Sequence, residues 1–599
     1  MRSYLHTLFY QEVFMRARLA LLAAATCLAG TAQAATIYPL DRATILVGSP
    51  FDFKVELDSV YAAGDVEVTV NGEAYSDAFG NEAEFVSDEK GKDDASLGSA
   101  LILRDLTLGE AGDYTVAVKA GDETKEVTWT VYDTPETPKA KNIIFFVADG
   151  MSMGHRSAAR IMSKGMTEGK ADGRLSMDDL DHMATIGTSS THSVATDSAN
   201  TMSAYMTGHK TRVNALGVYA DRTPDSQDDP KVETMAEALR RQTGKSIGVV
   251  STAEIEDATP AAVVAHTRLR ADKADIVGMF YDVKPEVVLG GGSAYFLKSD
   301  VPGSKRKDDN DYIAMFQDAG YTVVTSADEL ASAEKTEDGK LLGLFHTGNM
   351  DSTLDRKFLK TGSVEKFPNQ PGLVDMTTAA IEQLSKNPEG FFLMVEAANV
   401  DKMSHPLDWD RAVVDMIEFD QAIGAAMEWM NSNPDTLIVV TGDHTHGFSV
   451  IGTIDDEVEA DEMRNKVMTY DDAGFPNYTD ENGDGYPDKV DVSRRLAMFA
   501  NNFPDYYETF RPKLDGPFEP AVKDENGRYV ANEAYKDVPG AVLRTGNLPY
   551  NASTGVHAVD DVLLQATGPG AEGFKGYMEQ SDVYEVLADT FALGNSQKQ

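Results

Sequence analysis

Acids and histidines collect at the ends of four apolar runs. IIFFVADG closes at Asp149, IGVVSTAEIEDAT at Asp257 and Thr259, FFLMVEAANVD at Glu396 and Asp401, and TLIVVTGDHTHG at Asp443 and His444. Gathered in one place, these carboxylates would repel one another unless positive charge lay between them. Carboxylate and imidazole together are a donor set for divalent cations, so the pattern predicts a multi-metal site. Glu396, Asp401 and His405 also form the string E-x4-D-x3-H, in which a carboxylate and a histidine can share one cation; alone, that spacing suits a solvated loop equally well. His557, in STGVHAVDDVLLQATGPG, offers a further nitrogen, although a lone histidine serves structure more often than chemistry. Ser198, in VATDSANTMSAYMTGHKT, precedes small helix-tolerant residues, and Gly208 stands where a helix would stop. A serine at a helix N-terminus faces free N–H groups that favour an alkoxide and a bound phosphate. The sequence around it offers no His–Asp relay or lysine partner, so a metal would have to activate the hydroxyl.

The elements that must position these residues follow from the runs themselves. Runs of β-branched and aromatic residues bounded by Gly or Asp read as strands buried on both faces, the pattern of a parallel α/β sheet. In such sheets ligands bind at the carboxyl ends of the strands, where the acids lie. From residue 141 onward strand-like and helical patterns alternate. Residues 408–430 carry a helical stripe of Val413, Met416, Ile417, Ile423, Met427 and Met430, closed off by Pro434. Residues of about 455–551 break the alternation with an acidic, Pro- and Gly-rich stretch, read as an insertion of loops rather than sheet.

The chain has 599 residues, enough for two or three folded regions. Its 97 acidic against 54 basic residues leave a net charge of -43, which argues against a nucleic-acid partner and suits a secreted, highly soluble protein. Residues 1–34 read as an export signal, with the start of translation plausible at Met15: MRARLALLAAATCLAGTAQA has a basic start, a short apolar stretch and a small-x-small end at Ala32 and Ala34. No stretch offers the roughly 20 apolar residues of a membrane span. Cys27 is the only cysteine and lies in this segment, so metals of the exported chain must use oxygen and nitrogen ligands. Residues 36–133 alternate as short strands, about seven of them, separated by Gly, Asp and Asn turns, which predicts a β-sandwich. Tyr114 in EAGDYTVAV sits like the tyrosine corner of immunoglobulin-like domains, without their cysteines. DTPETPKAK then reads as a linker, at residues 134–140.

With these residues in hand, the chain from residue 141 to the C-terminus resembles the alkaline phosphatases. The resemblance rests on NIIFFVADGMS, VATDSANTMSAYMTGHKT, STAEIEDATPAAVVAHTRLR, VEAANVDKMSH, TGDHTHG and GVHAVDDVLLQATGPG, six segments in the family's order. It implies an α/β fold with a mostly parallel sheet flanked by helices. It also implies hydrolysis of phosphate monoesters with two zinc ions and one magnesium, commonly in a homodimer. Ser198 would be the phosphorylated nucleophile. Asp401, His405 and His557 would hold one zinc, and Asp149, Asp443 and His444 the other. Asp149 would also reach a magnesium shared with Thr259 and Glu396. Arg270, four residues after His266 and expected on the following helix, would grip phosphate oxygens with its fork. Asp257, as outer support, and Lys402, able to contact phosphate, look like the bacterial type, since animal members commonly carry histidines there. His446 resembles a histidine of animal members, two places after a zinc ligand, and its role stays open.

A separate motif lies in the insertion. DENGDGYPDKVD sets Asp480, Asn482, Asp484, Tyr486 (through its carbonyl), Asp488 and Asp491 at the ligand positions of an EF-hand-like calcium loop. Asp491 is shorter than the usual glutamate and Pro487 departs from the pattern; the alternative is an acidic turn without metal. SRRLAMFANN after it reads as a helix capped by Ser493. Two other functions compete with a monoesterase: a phosphodiesterase or sulfatase on the same superfold, and a surface adhesin that uses the domain as a scaffold.

Overall fold

The computed structural model describes residues 35–92, 97–333, 335–336, 338–458, 462 and 474–594. The export segment 1–34, with Met15 and Cys27, lies outside the described residues. Among the described residues no helix is long and apolar enough to cross a membrane.

The acid-tipped runs become neighbours in one ten-stranded sheet. Its order is Tyr321–Val324, Lys340–Leu344, Val287–Gly291, Ser246–Glu254, Phe391–Ala397, Asn142–Ala148, Thr436–Thr441, Val562–Thr567, His182–Gly187 and Gly576–Glu579. Every pairing is parallel except those of Val562–Thr567, which runs antiparallel to both its neighbours. The alternating side chains of one strand feed two different cores. Ile143, Phe145 and Val147 pack on one face, Ile144, Phe146 and Ala148 on the other. With both faces covered, a charged residue is costly inside these strands until they end, which is why the acids appear at the tips.

Helices close both faces. Trp409–Met430, 22 residues long, lays Val413, Met416, Ile417 and Ile423 on one core, with Met427 and Met430 packed at its margin. Gln580–Phe591 and Ser198–Thr207 lie together on the other face, contributing Leu587 and Met202.

The N-terminal segment forms two small sheets that share one core. One is ordered Ala35–Tyr38, Phe51–Leu57, Leu97–Leu106, Glu84–Lys90, and the other Thr44–Leu46, Glu123–Tyr132, Gly112–Ala120, Val66–Val70, Glu73–Ala74. Nine strands thus stand where the sequence suggests about seven. Trp129 is fully buried between them, its indole edge-on to Phe51 and Phe53 and its Nε1–H donating to the Pro39 carbonyl at 2.9 Å. The Tyr114 hydroxyl donates back to the Glu110 carbonyl at 3.0 Å, four residues upstream.

The insertion departs from the sequence reading. Phe448–Asp455 pairs with Arg494–Ala500, and two further ribbons join Tyr506–Glu508 to Val542–Arg544 and Ala521–Lys523 to Tyr529–Ala531. The helix expected in SRRLAMFANN is therefore the strand Arg494–Ala500. Leu, Ala and Met favour a helix locally, but the open edge of Phe448–Asp455 supplies ladder partners that outweigh so small a preference. The insertion is not peripheral either, since Tyr478, Tyr486, Val490, Leu496 and Phe518 join the core beneath it.

Candidate metal centre

Four adjacent parallel strands deliver the site. Asp149 follows Asn142–Ala148, while Asp443 and His444 follow Thr436–Thr441. Glu396 is the penultimate residue of Phe391–Ala397, and Asp401 comes next, on a short helix, Asn399–Ser404, where the sequence suggests a loop. Thr259 lies on Ala258–Ala261 after Ser246–Glu254. His557 arrives from far along the chain, opposite His446 in a two-residue antiparallel pairing. Gly150 makes this approach possible. Its φ is 72°, and a β-carbon there would lie 2.6 Å from His446 Cδ2.

Ligand atoms of Asp401, His444, His446 and His557 converge within 4.8 Å of one another, and so do those of Asp149, Asp443 and His444. The expected partners of Asp401 are present: its Oδ1 is 3.3 Å from His405 Nε2 and 3.6 Å from His557 Nε2. His446 joins them, its Nε2 2.6 Å from the same oxygen, so the residue left open in the sequence reading supports Asp401. His444 Nε2 is 3.2 Å from Asp149 Oδ1 and 3.6 Å from Asp443 Oδ2.

Hydrogen bonding tests whether a cation fits. His405 Nδ1 is 2.8 Å from the Gly555 carbonyl, and His557 Nδ1 is 2.8 Å from the Thr196 carbonyl. A carbonyl only accepts, so both Nδ1 atoms carry hydrogen, and a neutral ring in this setting turns its lone pair outward at Nε2. Those two Nε2 atoms are 3.3 Å apart and share Asp401 as a neighbour. Facing lone pairs beside a carboxylate are repulsive without a cation, and this backbone anchoring is the outer support typical of metal-bound histidines. Asp149 Oδ2, Asp443 Oδ2, His444 Nδ1 and Thr259 Oγ1 are also buried without a hydrogen-bond partner. The donor set therefore fits oxygen- and nitrogen-bound metal ions.

The acids show the strain of crowding. Burial, reinforced by Asp149, pushes the Asp443 carboxyl up to about 7. Burial and Asp149 also push Glu396 well above the usual range, although the Ser251 hydroxyl donates to it. Burial works to lower His444, but Asp443, Asp149 and Asp401 carry it up to about 9. Asp401 goes the other way: burial is outweighed by His405, Lys402 and His446, which hold it well below the usual range.

Ser198 begins the helix Ser198–Thr207, as its sequence predicts, with Asp197 as N-cap accepting from Asn200 N at 3.1 Å and Gly208 closing the helix. Its Oγ lies 3.4 Å from Asp149 Oδ1 and 3.3 Å from His444 Nε2, so the hydroxyl borders the second ligand group directly. Across from it, Asp257 accepts from Arg270 Nη2 at 2.9 Å and lies 3.2 Å from Lys402 Nζ, which is also 3.7 Å from Asp149 and 3.4 Å from Asp401. Arg270 sits in the turn before Lys273–Val283 rather than on that helix; the turn lets its fork point back to Asp257 and Asp197. Asp197, Ser251 and Lys273 were not evident as site residues from sequence. Asp197 stands in the sequence only as the residue before Ser198 and Ser251 only within a strand-like run, while the Lys273 ammonium, beside Glu254 and 3.9 Å from Asp257, had no motif to mark it.

The acidic loop 480–491 is organised by its own hydrogen bonds. Asp480 accepts from the backbone N–H groups of Gly483, Asp484 and Gly485, Asn482 and Asp484 cap the next turns, and Asp488 holds Thr479 and Glu481. Asp491 lies 3.8 Å from Arg495 and 3.9 Å from Arg511.

Comparison with known proteins agrees with this geometry. The sequence profile of the family described as alkaline phosphatase matches residues 140–593. Alkaline phosphatase 4 of Bacillus subtilis is 30% identical over 504 residues, covering 82% of this chain and 97% of its own. The tissue-nonspecific isozyme of Gallus gallus is 33% identical over 494 residues, covering 76% and 85%. The alkaline phosphatase of Thermus thermophilus superposes with a TM-score of 0.54 at 22% identity, covering 77% of this chain and 93% of that one, a likeness of fold. The chain belongs to the alkaline phosphatase family.

Proposed function

We propose that the protein is an exported phosphomonoesterase that works through a phosphorylated Ser198. The observation that carries this reading is the Ser198 hydroxyl at a helix N-terminus, within 3.4 Å of Asp149 and His444, with Lys402 beside that Asp149 and Arg270 beside the N-cap Asp197. Asp401, His405 and His557 would hold one zinc ion, Asp149, Asp443 and His444 a second, and Asp149, Thr259 and Glu396 a magnesium. When bound, these ions stabilise negative charge on oxygen and make a hydroxyl or water easier to deprotonate.

The chain's own groups do the rest. Ser198 Oγ gives up its proton and attacks phosphorus; the Oγ–P bond forms as the bond to the alcohol oxygen breaks, and the alcohol leaves after taking a proton. Water then attacks the phosphoserine, regenerating the hydroxyl and releasing inorganic phosphate. The helix N-terminus and the Arg270 fork neutralise the non-bridging oxygens, where transition-state charge gathers. Asp257 and Asp197 hold that fork in plane, and Asp257 also keeps Lys402 within reach of the phosphate.

The N-terminal sheets are proposed as an immunoglobulin-like module spanning residues 36–133, supported by the Trp129 core and the Tyr114 corner. A homodimer is proposed on the family habit. Calcium in loop 480–491 is supported by the spacing of its acids. The test is the metal content of the purified protein together with rates on an aryl phosphate monoester, a diester and a sulfate. Two zincs, one magnesium and a preference for the monoester are expected; a preferred diester or sulfate overturns the substrate class.

A further inference from the structure

The N-terminal sheets reach the phosphate clamp through a buried chain of charges. Residues 219–233 run along them: Asp52 N donates to the Lys231 carbonyl at 2.8 Å, Phe51 bridges Val232, and Tyr219 and Val232 sit inside the N-terminal core. Within this seam lies Lys54, its side chain 1% exposed. Its Nζ is 2.6 Å from Asp221, 2.7 Å from Glu89 and 3.1 Å from Glu56. An ammonium is rarely enclosed this fully, and here one of its partners belongs to the loop rather than to the sheets.

Asp221 passes the constraint on. Its Oδ1 is 3.5 Å, and its carbonyl 3.3 Å, from Arg268 Nη1, which also donates to Asp229 Oδ1 at 3.0 Å. Arg268 Nη2 donates to the Asp225 carbonyl at 2.5 Å. A guanidinium with this many fixed acceptors has one orientation, and it lies two residues before Arg270. Thr267, the residue before Arg268, is laddered to Leu216 at 2.8 and 2.9 Å, and Arg270 N donates to the Asn214 carbonyl at 2.8 Å. The backbone that aims Arg270 is thus pinned on one side by residues 214–216 and on the other by Arg268. Long side chains such as arginine reach their targets at full strength only when their backbone is already in place.

We infer that the N-terminal sheets position the phosphate clamp, with Lys54 and Arg268 as positioning residues that act through Asp221 on Arg270. This rests on the reading of Arg270 as a phosphate ligand. It gives the N-terminal segment a task in the reaction without any contact with substrate.

The test uses the full-length, metal-loaded enzyme and inorganic phosphate as the probe. KM, kcat and the phosphate inhibition constant are measured for wild type, Lys54→Met, Asp221→Asn, Arg270→Ala and the Lys54→Met/Arg270→Ala pair, with Ser49→Ala as a seam control. Ser49 bonds Glu233 at 2.8 Å, off the Lys54–Arg268 line. Lys54→Met and Asp221→Asn are expected to raise KM and the inhibition constant about threefold to tenfold, with a smaller change in kcat and none in Ser49→Ala, the range typical of energetic coupling through a packed network. In the Arg270→Ala background Lys54→Met should add less than about twofold, because contacts acting through one group are not additive. If Lys54→Met does not fold, Asp221→Asn decides, since it leaves Lys54 paired with Glu56 and Glu89. Folded variants that bind phosphate like wild type, or effects that multiply in the double variant, overturn the inference. An Arg270→Ala enzyme with unchanged phosphate inhibition sinks the clamp reading itself, a separate and recognisable outcome.

Discussion

Replacing Arg270 with alanine isolates the phosphate-neutralising step. In the free protein the guanidinium is held by Asp257 at 2.9 Å and Asp197 at 3.5 Å and is only partly exposed, so its orientation exists before substrate arrives. A hydrogen bond to a charged group contributes about 1.5–3 kcal/mol net. Two of them to phosphate would give about 3–6 kcal/mol, but the fork must share itself with Asp257, and we take about 3 kcal/mol as the loss. At about 1.4 kcal/mol per tenfold, that is a fall of roughly 100-fold in kcat/KM. The fold should survive, because Asp257 keeps Lys402 at 3.2 Å and Lys273 at 3.9 Å. The assay is steady-state hydrolysis of an aryl phosphate, with thermal unfolding as the control. A kcat/KM within threefold of wild type, in a protein that melts normally, refutes the role.

Four further outcomes are expected. Ser198→Ala should abolish turnover while keeping metal content and phosphate affinity; unchanged hydrolysis removes Ser198 from the nucleophile role. Chelation should lower Tm, and more so as pH rises: in the metal-free protein the raised Asp443 carboxyl adds stability below about 4 that is lost as pH passes about 7, so a Tm loss independent of pH contradicts the site. His209, buried beside the Tyr219 hydroxyl at 2.8 Å, is pushed by burial down to about 4. The unfolded chain takes that proton near 6.5, so its stability contribution is intact above 6.5 and is lost as pH falls toward 4; His209→Asn should flatten this part of the Tm–pH curve. Calcium titrated into the metal-loaded protein should raise Tm through loop 480–491, and Asp480→Ala should abolish the rise; no rise in wild type makes the loop an acidic turn.

The acid-bearing edge was readable because a doubly covered strand seldom carries a charged residue except where it ends. Asp149, Glu396 and Asp443 had to stand out against apolar runs, whereas Ser198 was marked by the small residues that follow it and by Gly208. Other features came from contacts between distant segments, which leave no local spacing. His446 gained its task when Gly150 let it approach Asp401, and Lys273 when its turn brought it beside Glu254 and Asp257. The misread helix at 494–500 has the same cause. Its own residues allow a helix, and the edge strand that claims it lies about 40 residues earlier.

Val562–Thr567 is an interior strand of the large sheet, between Thr436–Thr441 and His182–Gly187. This late strand is thus a keystone inserted between segments made much earlier, while the strand that follows it, Gly576–Glu579, is added at the rim. During synthesis the gap beside Thr436–Thr441 stays open until residues 562–567 have emerged. The same late segment delivers His557, whose Nδ1 holds the Thr196 carbonyl two residues before Ser198. One late segment therefore supplies both the strand that fills this gap and the histidine beside Ser198's helix. A chain halted before residue 557 would bear the helix-borne Ser198 and most of the acids, yet lack His557 and the strand that follows it.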